Sequence, residues 1–364
     1  MRLRRFTYIL LLFIISGCSK SNDNTTQPSN DSIYFPPLTG TTWESATPES
    51  LKWKSENISP LYNYLESKHT KSFIVLYNGK IVIEKYFGSH TSTTPWYWAS
   101  AGKTLTSSIV GIANEEKLLN INNKVSDYLG TGWTTAPLAK ENLITCKHLL
   151  SMTSGLDDAY NDNSNEALHD CVSPDCLVYK ADAGTRWAYD NVYVKLQDVV
   201  AKASGKTWSS YFNDKLRDKI GMTGTWIQTG NMSVYWSHTR SMARFGLLAY
   251  ANGKWNDTQV IPSGYFEQAV NTSQNINLSY GYLWWLNGKS SYRLPQSQLQ
   301  INRSLVPNAP ADMFCALGKN DQKIYVVPSK KLVVIRMGDA ADELNWALSQ
   351  FDNELWAQIN TVIQ

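Results

Sequence analysis

The sequence predicts an α+β fold, with one sheet assembled from strands at both ends of the chain and a largely helical stretch between them. Two hairpins and a series of helical repeats carry this expectation. The first hairpin joins Phe73–Tyr77 to Lys80–Phe87 through Asn78-Gly79, the dipeptide best suited to the positive φ angles of a tight β-turn. Near the other end, Lys323–Val327 and Leu332–Arg336 flank Pro328-Ser-Lys-Lys331 and predict a second hairpin. Between them, Leu105, Ile109, Ile112 and Ala113 recur at helical spacing, as do Val192, Leu196, Val199 and Ala203, and then Met242, Phe245 and Leu248. Leu344, Leu348, Phe351 and Leu355 predict an amphipathic closing helix. A site is expected in the cleft between the two lobes. No internal repeat is evident.

Composition agrees with a folded protein. The 364 residues are 43% hydrophobic, 12% aromatic and 18% charged, which excludes disorder, collagen-like repeats and a disulfide-dense miniprotein. The length allows one large domain or two. With 14 Trp and 20 Tyr, an aromatic-lined surface or cleft is expected. Lys and Arg number 34 against 31 Asp and Glu, but Arg2, Arg4 and Arg5 account for the excess. The chain without them is neutral and lacks the basic bias of a nucleic-acid binder.

The first residues divide the chain. A basic start, an apolar run from Tyr8 to Ile15 and the small pair Ser16-Gly17 describe a secretory signal over 1–17. The run is shorter than the roughly 20 residues of a membrane-spanning helix. Cys18 directly after the small pair resembles the lipidated first residue of a bacterial lipoprotein, so export and membrane anchoring through Cys18 to the cell envelope are expected. Residues 18–45 are polar and Pro-containing, as in a flexible tether. The domain is then expected over 46–364, with its helical lobe at roughly 105–270. In an exported protein Cys171 and Cys176, five apart in a polar loop, are placed to form a small-loop disulfide; metal ligation is the alternative, without a second Cys or His pair nearby. Cys146 and Cys315 lie in apolar contexts that predict buried thiols.

Several chemistries lack their signatures. His69, His90, His148, His169 and His238 form no zinc-binding pair. There is no Gly-x-Ser-x-Gly elbow and no phosphate-binding Gly-rich loop. What stands out is Trp98-Ala-Ser100-Ala-Gly-Lys103-Thr104, which contains the one Ser-x-x-Lys of the chain and opens a helix. An i,i+3 spacing puts both side chains on one face. A serine hydroxyl needs a neighbour to take its proton, and a lysine in a dry pocket can do so because burial disfavours its charged form. The helix start supplies N–H groups for a developing oxyanion.

The context extends the motif. It is followed by an apolar helix, by Glu116-Lys-Leu-Leu-Asn-Ile-Asn-Asn-Lys-Val-Ser-Asp-Tyr-Leu129, by Ile144-Thr-Cys-Lys-His-Leu-Leu-Ser-Met-Thr-Ser-Gly-Leu156, and by Gly184-Thr-Arg-Trp-Ala-Tyr-Asp-Asn191. Over roughly residues 55 to 340 this order resembles the serine β-lactamase-related family. That family includes class C β-lactamases, D-alanyl-D-alanine carboxypeptidases, lactamase-like esterases and 6-aminohexanoate-dimer hydrolases. The resemblance implies a β-lactamase/transpeptidase-like α/β (α+β) fold: an antiparallel sheet flanked by helices, plus an all-helical lobe.

Residue by residue, the resemblance makes Ser100 the acylated nucleophile and Lys103 its proton-relay partner. Tyr189-Asp190-Asn191 matches the family's Tyr-x-Asn box, with Tyr189 as base and then leaving-group acid, its pKa expected to be lowered by the lysine charge. Tyr211-Phe-Asn213 and Tyr250-Ala-Asn252 also fit the pattern, but lie in helical repeats where a core tyrosine is expected. The third box, Lys-Thr-Gly in lactamases, corresponds to Phe314-Cys-Ala-Leu-Gly-Lys-Asn-Asp-Gln322, with Asp321 where glycine is usual. Two alignments compete. Lys319 presents an ammonium group to substrate, or Ala316-Leu-Gly318 fills the box and the Lys319 N–H joins that of Ser100 as the oxyanion hole; the second is favoured because it needs no gap. Lacking a clear Lys-Thr-Gly weakens the case for binding a β-lactam carboxylate.

Trp96, Tyr97, Tyr282 and Trp284 read as core aromatics. Trp98 and Trp285 are candidates either for core or for lining an acyl cleft, and Tyr160 is a weaker lining candidate. His148 is expected to pack in its helix. The expectation is a serine hydrolase of small esters, amides or peptides that needs no metal or organic cofactor and has no nucleic-acid partner. The alternative is a slow or non-catalytic receptor of penicillin or cell-wall peptides.

Overall fold

Six strands form the main sheet: β1 (Thr70–Tyr77), β2 (Lys80–Tyr86), β3 (Trp285–Leu286), β4 (Phe314–Gly318), β5 (Gln322–Val327) and β6 (Leu332–Gly338). Their order is β2-β1-β6-β5-β4-β3, and every neighbour is antiparallel. The structure, a computed structural model, describes residues 32–158, 172–229, 232–342 and 348–363, and the compact unit begins at Ile33. Both predicted hairpins are present. Asn78 and Gly79 take φ of 47° and 88°, the mirror-image turn that matches the twist of paired strands. A Cβ on Gly79 would also lie 1.9 Å from the Tyr34 carbonyl oxygen, so the turn is closed to any larger residue.

The two ends of the chain meet at β1 and β6, where Ile74 faces Ile335. Every residue of β6 is buried, as expected of a central strand covered on both faces. Helices α1 (Ile58–Ser67), α2 (Lys103–Glu115), α3 (Lys195–Ser204), α4 (Thr239–Tyr250) and α5 (Gln350–Ile363) supply the cover and the second lobe. On one face α4 lies so close that a Cβ on Gly246 would come within 2.5 Å of Val333 and 3.2 Å of Ile324. On the other, α1 and α5 pack through the Tyr64–Phe351 stack and the Tyr325–Trp356 edge contact.

Four expectations need correction. α4 packs on the sheet, so the stretch 105–270 is not all one helical lobe. The middle of the chain also contains a three-stranded sheet of Trp96–Tyr97, Met232–Ser237 and Thr225–Thr229, built from β-branched and aromatic residues. The closing helix starts at Gln350, after Leu348; Leu344 lies outside the described residues. Residues 33–45, assigned to the tether, run against the domain instead: the Tyr34 N–H donates to the Asn78 carbonyl at 3.0 Å, Phe35 packs on Trp255, and Ser45 pairs with Ile81. Apolar side chains spaced within a polar segment were enough to hold it. Cys18 and Cys171 lie outside the described residues. Cys146 and Cys315 are buried thiols, and burial pushes that of Cys146 up to about 12.

Candidate active site

The nucleophile candidate lies where a short strand turns into a buried helix. The Trp98 N–H donates to the Tyr235 carbonyl at 2.9 Å, and its indole N–H donates to Ser237 Oγ at 2.7 Å. Trp98 is therefore a core residue, fully buried. Ala99 takes a left-handed φ of 46°, an uncommon conformation for a residue with a Cβ. The chain thus swings sharply before Ala99–Gly102, a single 3-10 turn that continues into α2. Ser100, in this turn, is half-buried. α2 is buried on nearly all sides, as for a helix inside a protein rather than on its surface. A Cβ on Gly111 would collide with the Tyr265 ring at 2.3 Å, and Tyr265 donates to the Ser107 carbonyl at 2.9 Å.

One turn beyond Ser100, Lys103 is only 2% exposed. Its ammonium nitrogen lies 3.3 Å from Asn191 Oδ1, 3.9 Å from the Tyr193 ring centroid and 5.0 Å from that of Tyr189. The Ser100 hydroxyl and the Trp285 indole both lie close enough to the Tyr189 phenol to favour its ionised form. Trp285 also stacks on the Tyr189 ring, with centroids 5.7 Å apart and planes 29° apart. It therefore supports Tyr189 from beneath rather than lining an open cleft. Ser100 and Lys103 are thus brought together with Tyr189 and Asn191, which lie 86 or more residues further along the chain.

Tyr189 differs from expectation in one respect. Burial holds its phenol well above the ordinary range, outweighing the opposing effects of Ser100 and Trp285. The resting group is a neutral phenol, not one acidified by lysine charge. Asp190, between Tyr189 and Asn191, accepts from the Val192 N–H at 3.1 Å, at the start of the turn Val192–Val194 that leads into α3. Burial, with Asp158 adding to it, pushes the Asp190 carboxyl up to about 7 against the smaller opposing effects of Val192, Lys103 and Arg186. Arg186 and Asp158 form an ion pair beside it.

The third expected element is the end of β4. Gly318 has an ordinary extended φ of −126°, so space, not conformation, demands glycine here. A Cβ would stand 2.4 Å from the Trp98 carbonyl oxygen and 3.0 Å from the Ala101 nitrogen. The strand end therefore presses directly on the Ser100 turn. Lys319, Asn320 and Asp321 then connect Gly318 to its partner Gln322. The Lys319 side chain is exposed. Asn320 and Asp321 both have φ of 59°, which explains why glycine suits the position of Asp321.

Asp321 compensates from within the protein. It is fully buried; its carboxylate accepts from the Ala341 N–H at 2.9 Å and from Ser349 Oγ at 3.0 Å, and pairs with Lys323 at 3.0 Å. Lys323 also meets Asp352 at 2.9 Å, and Asp352 accepts from Tyr325 at 2.6 Å. Burial pushes the Asp321 carboxyl up, but Lys323, the Ala341 N–H and Arg336 together hold it below its ordinary value. Sequence reading noted Asp321 only as a departure from glycine. The cluster joins residues from β5, the turn before it and α5, and no local pattern signals it.

His148 caps its own helix with Thr145. Tyr211 and Tyr250 are tied to Glu116 and Asn78, away from Ser100. Tyr160 lies outside the described residues. Among the described residues, no group of three or more His, Cys, Asp or Glu converges to hold a metal ion.

The sequence matches the family described as Beta-lactamase over residues 66–343. The chain belongs to the Beta-lactamase family. Among solved structures, this Beta-lactamase-family chain resembles a candidate 6-aminohexanoate-dimer hydrolase from Bacillus anthracis, with a TM-score of 0.68 and 19% identity over 90% of this chain and 88% of the other. It also resembles a candidate beta-lactamase from Bacteroides dorei DSM 17855, with TM-score 0.66 and 16% identity over 86% and 99% of the two chains. A third is EstCE1, a hydrolase with promiscuous acyltransferase activity, at 0.64 and 10% over 86% and 99%. At these identities the likeness is one of fold. No curated protein matches the sequence.

Proposed function

We propose that this serine hydrolase of the Beta-lactamase family cleaves small esters, amides or peptides through an acyl-enzyme on Ser100. The observation that carries the reading is the buried Lys103, one turn from Ser100, with its ammonium nitrogen 3.3 Å from Asn191 Oδ1 and 5.0 Å from the Tyr189 ring centroid. Ser100 Oγ attacks the carbonyl carbon and its proton passes to Lys103, directly or through the Tyr189 hydroxyl. The ammonium so formed is received by Asn191 Oδ1 and the Tyr193 ring face. The N–H groups of Ser100 and Lys319 hold the oxyanion, consistent with the contact between Gly318 and the Ser100 turn. As the tetrahedral intermediate collapses, Tyr189 gives its proton to the leaving alcohol or amine and regains one from Lys103. Water then attacks the ester of Ser100 by the reverse path and releases the acid.

Treatment with a fluorophosphonate should add one adduct, on Ser100, and abolish hydrolysis of p-nitrophenyl butyrate. A Ser100→Ala protein that hydrolyses the ester at the normal rate would overturn the reading. Stable acylation by a labelled penicillin without turnover would make the protein a receptor instead. Envelope anchoring through Cys18 is part of the proposal; fatty-acid labelling that persists in Cys18→Ala would refute it.

A further inference from the structure

The oxyanion turn is gripped from behind. Its main-chain oxygens are taken by buried side chains: Arg336 donates to the carbonyls of Asn320 and Asp321 at 3.1 and 2.9 Å, and Gln322 donates to that of Asn320 at 2.8 Å. On the outer side, Asn320 Nδ2 donates to the Tyr97 hydroxyl at 2.6 Å, linking the turn to the strand that leads to Ser100. The remaining tether is the Asp321 carboxylate, which reaches the chain on the far side at Ala341 and Ser349.

Charge balance alone does not account for Asp321. Lys323 and Arg336 are register partners on β5 and β6, and like charges side by side disfavour a sheet. Yet Asp352 already pairs with Lys323. Arg336 spends its donors on Thr70 and on the carbonyls of Lys68, Asn320, Asp321 and Asp339. Asp321 also occupies a left-handed conformation that glycine adopts more readily. Besides its ion pair with Lys323, what the carboxylate adds, and glycine lacks, is the pair of bonds to Ala341 and Ser349.

We propose that Asp321 is a positioning residue for the Lys319 N–H: it anchors the turn Lys319–Asp321 to the segment entering α5 and so sets where the oxyanion is held. The inference rests on the acyl-enzyme reading above. A donor displaced by about 1 Å from a developing oxyanion loses on the order of 100-fold in rate, without altering ground-state binding to the same extent.

The test compares wild type, Asp321→Gly, Asp321→Asn and Ser349→Ala with p-nitrophenyl butyrate, each normalised to active sites titrated by fluorophosphonate. Asp321→Gly relieves the backbone but cuts the tether, and kcat per active site should fall about 10- to 100-fold with KM within about twofold. Asp321→Asn keeps an acceptor and tolerates positive φ, and should recover most of that loss. Ser349→Ala removes one bond at the edge of the cluster and should lower kcat by about two- to fivefold. It carries the test if the Asp321 variants do not fold. Equal kcat per active site in Asp321→Gly, or in Ser349→Ala where that is the variant measured, overturns the proposal, because a merely structural role changes only the number of active sites. Wild-type protein without hydrolysis, or full hydrolysis by Ser100→Ala, would instead sink the acyl-enzyme reading and this inference with it.

Discussion

Replacing Gly318 by alanine adds a single methyl group at the contact that sets the site. That methyl would stand 2.4 Å from the Trp98 carbonyl oxygen, about 1 Å short of the 3.4 Å at which ordinary van der Waals contact begins. Neither partner can rotate away, because the contacted atom is backbone and Trp98 is pinned to Tyr235 and Ser237. The strand end and the Ser100 turn must therefore separate by several tenths of an ångström or more. Overpacking of this kind costs about 1–3 kcal/mol, a fall of a few degrees in Tm for a domain of this size. The rate should suffer far more, since about 1 Å of misplacement costs on the order of 100-fold. Gly318→Ala should thus unfold a few degrees early by calorimetry and hydrolyse p-nitrophenyl butyrate with kcat lower by about 100-fold. A variant with kcat within about twofold of wild type would refute the reasoning, because it would show that this contact does not fix the distance between the two N–H groups.

Tyr189→Phe keeps the ring on Trp285 and removes the proton carrier, so kcat should fall by about 100- to 10,000-fold with little change in Tm. In Asp190 the folded state binds the proton more tightly than the unfolded chain does, with a pKa near 7 against 3.8. Its contribution to stability is therefore greatest at acid pH and is lost as pH rises from about 4 to about 7. Asp190→Asn should abolish that slope and gain on wild type by a few kcal/mol, about 2–4, between pH 5 and pH 8 in urea titrations. Lys323→Met strands the carboxylates of Asp321 and Asp352 in the interior and should destabilise the fold by about 3–5 kcal/mol, measured in the same way.

Where the sequence signal was local, it matched the structure. Asn78-Gly79 specifies its own turn through φ, and the apolar spacing from Leu105 to Ala113 specifies a helix that needs no knowledge of its partners. Ser100 and Lys103 share a helical turn, so their proximity is legible from spacing alone. Tyr189 and Asn191 were legible only through family resemblance, since nothing in their own neighbourhood says that they reach Lys103. The sign of the Tyr189 shift could not be read, because it depends on how much of Trp285, Tyr280 and Trp187 closes over the phenol. Asp321 shows the same limit of local reading. Its side chain looks out of place until Ala341, Ser349 and Lys323 arrive from other parts of the chain. The helix Thr239–Tyr250 has the periodicity of any amphipathic helix, and only the closeness of Gly246 to Val333 reveals that its partner is the sheet.

The pairing of β1 with β6 has a consequence for biosynthesis. During translation β1 and β2 leave the ribosome more than 240 residues before Leu332–Gly338, so their shared edge stays open while the whole helical insertion is made. Such long-range closure is slow and leaves a sticky strand edge exposed. Gly318 gains its backing strand only when β5 is complete, and β5 its second neighbour only with β6. Nascent or C-terminally truncated chains should accordingly carry every reactive side chain yet remain inert, and hydrolytic power would switch on only once the last strand has been delivered.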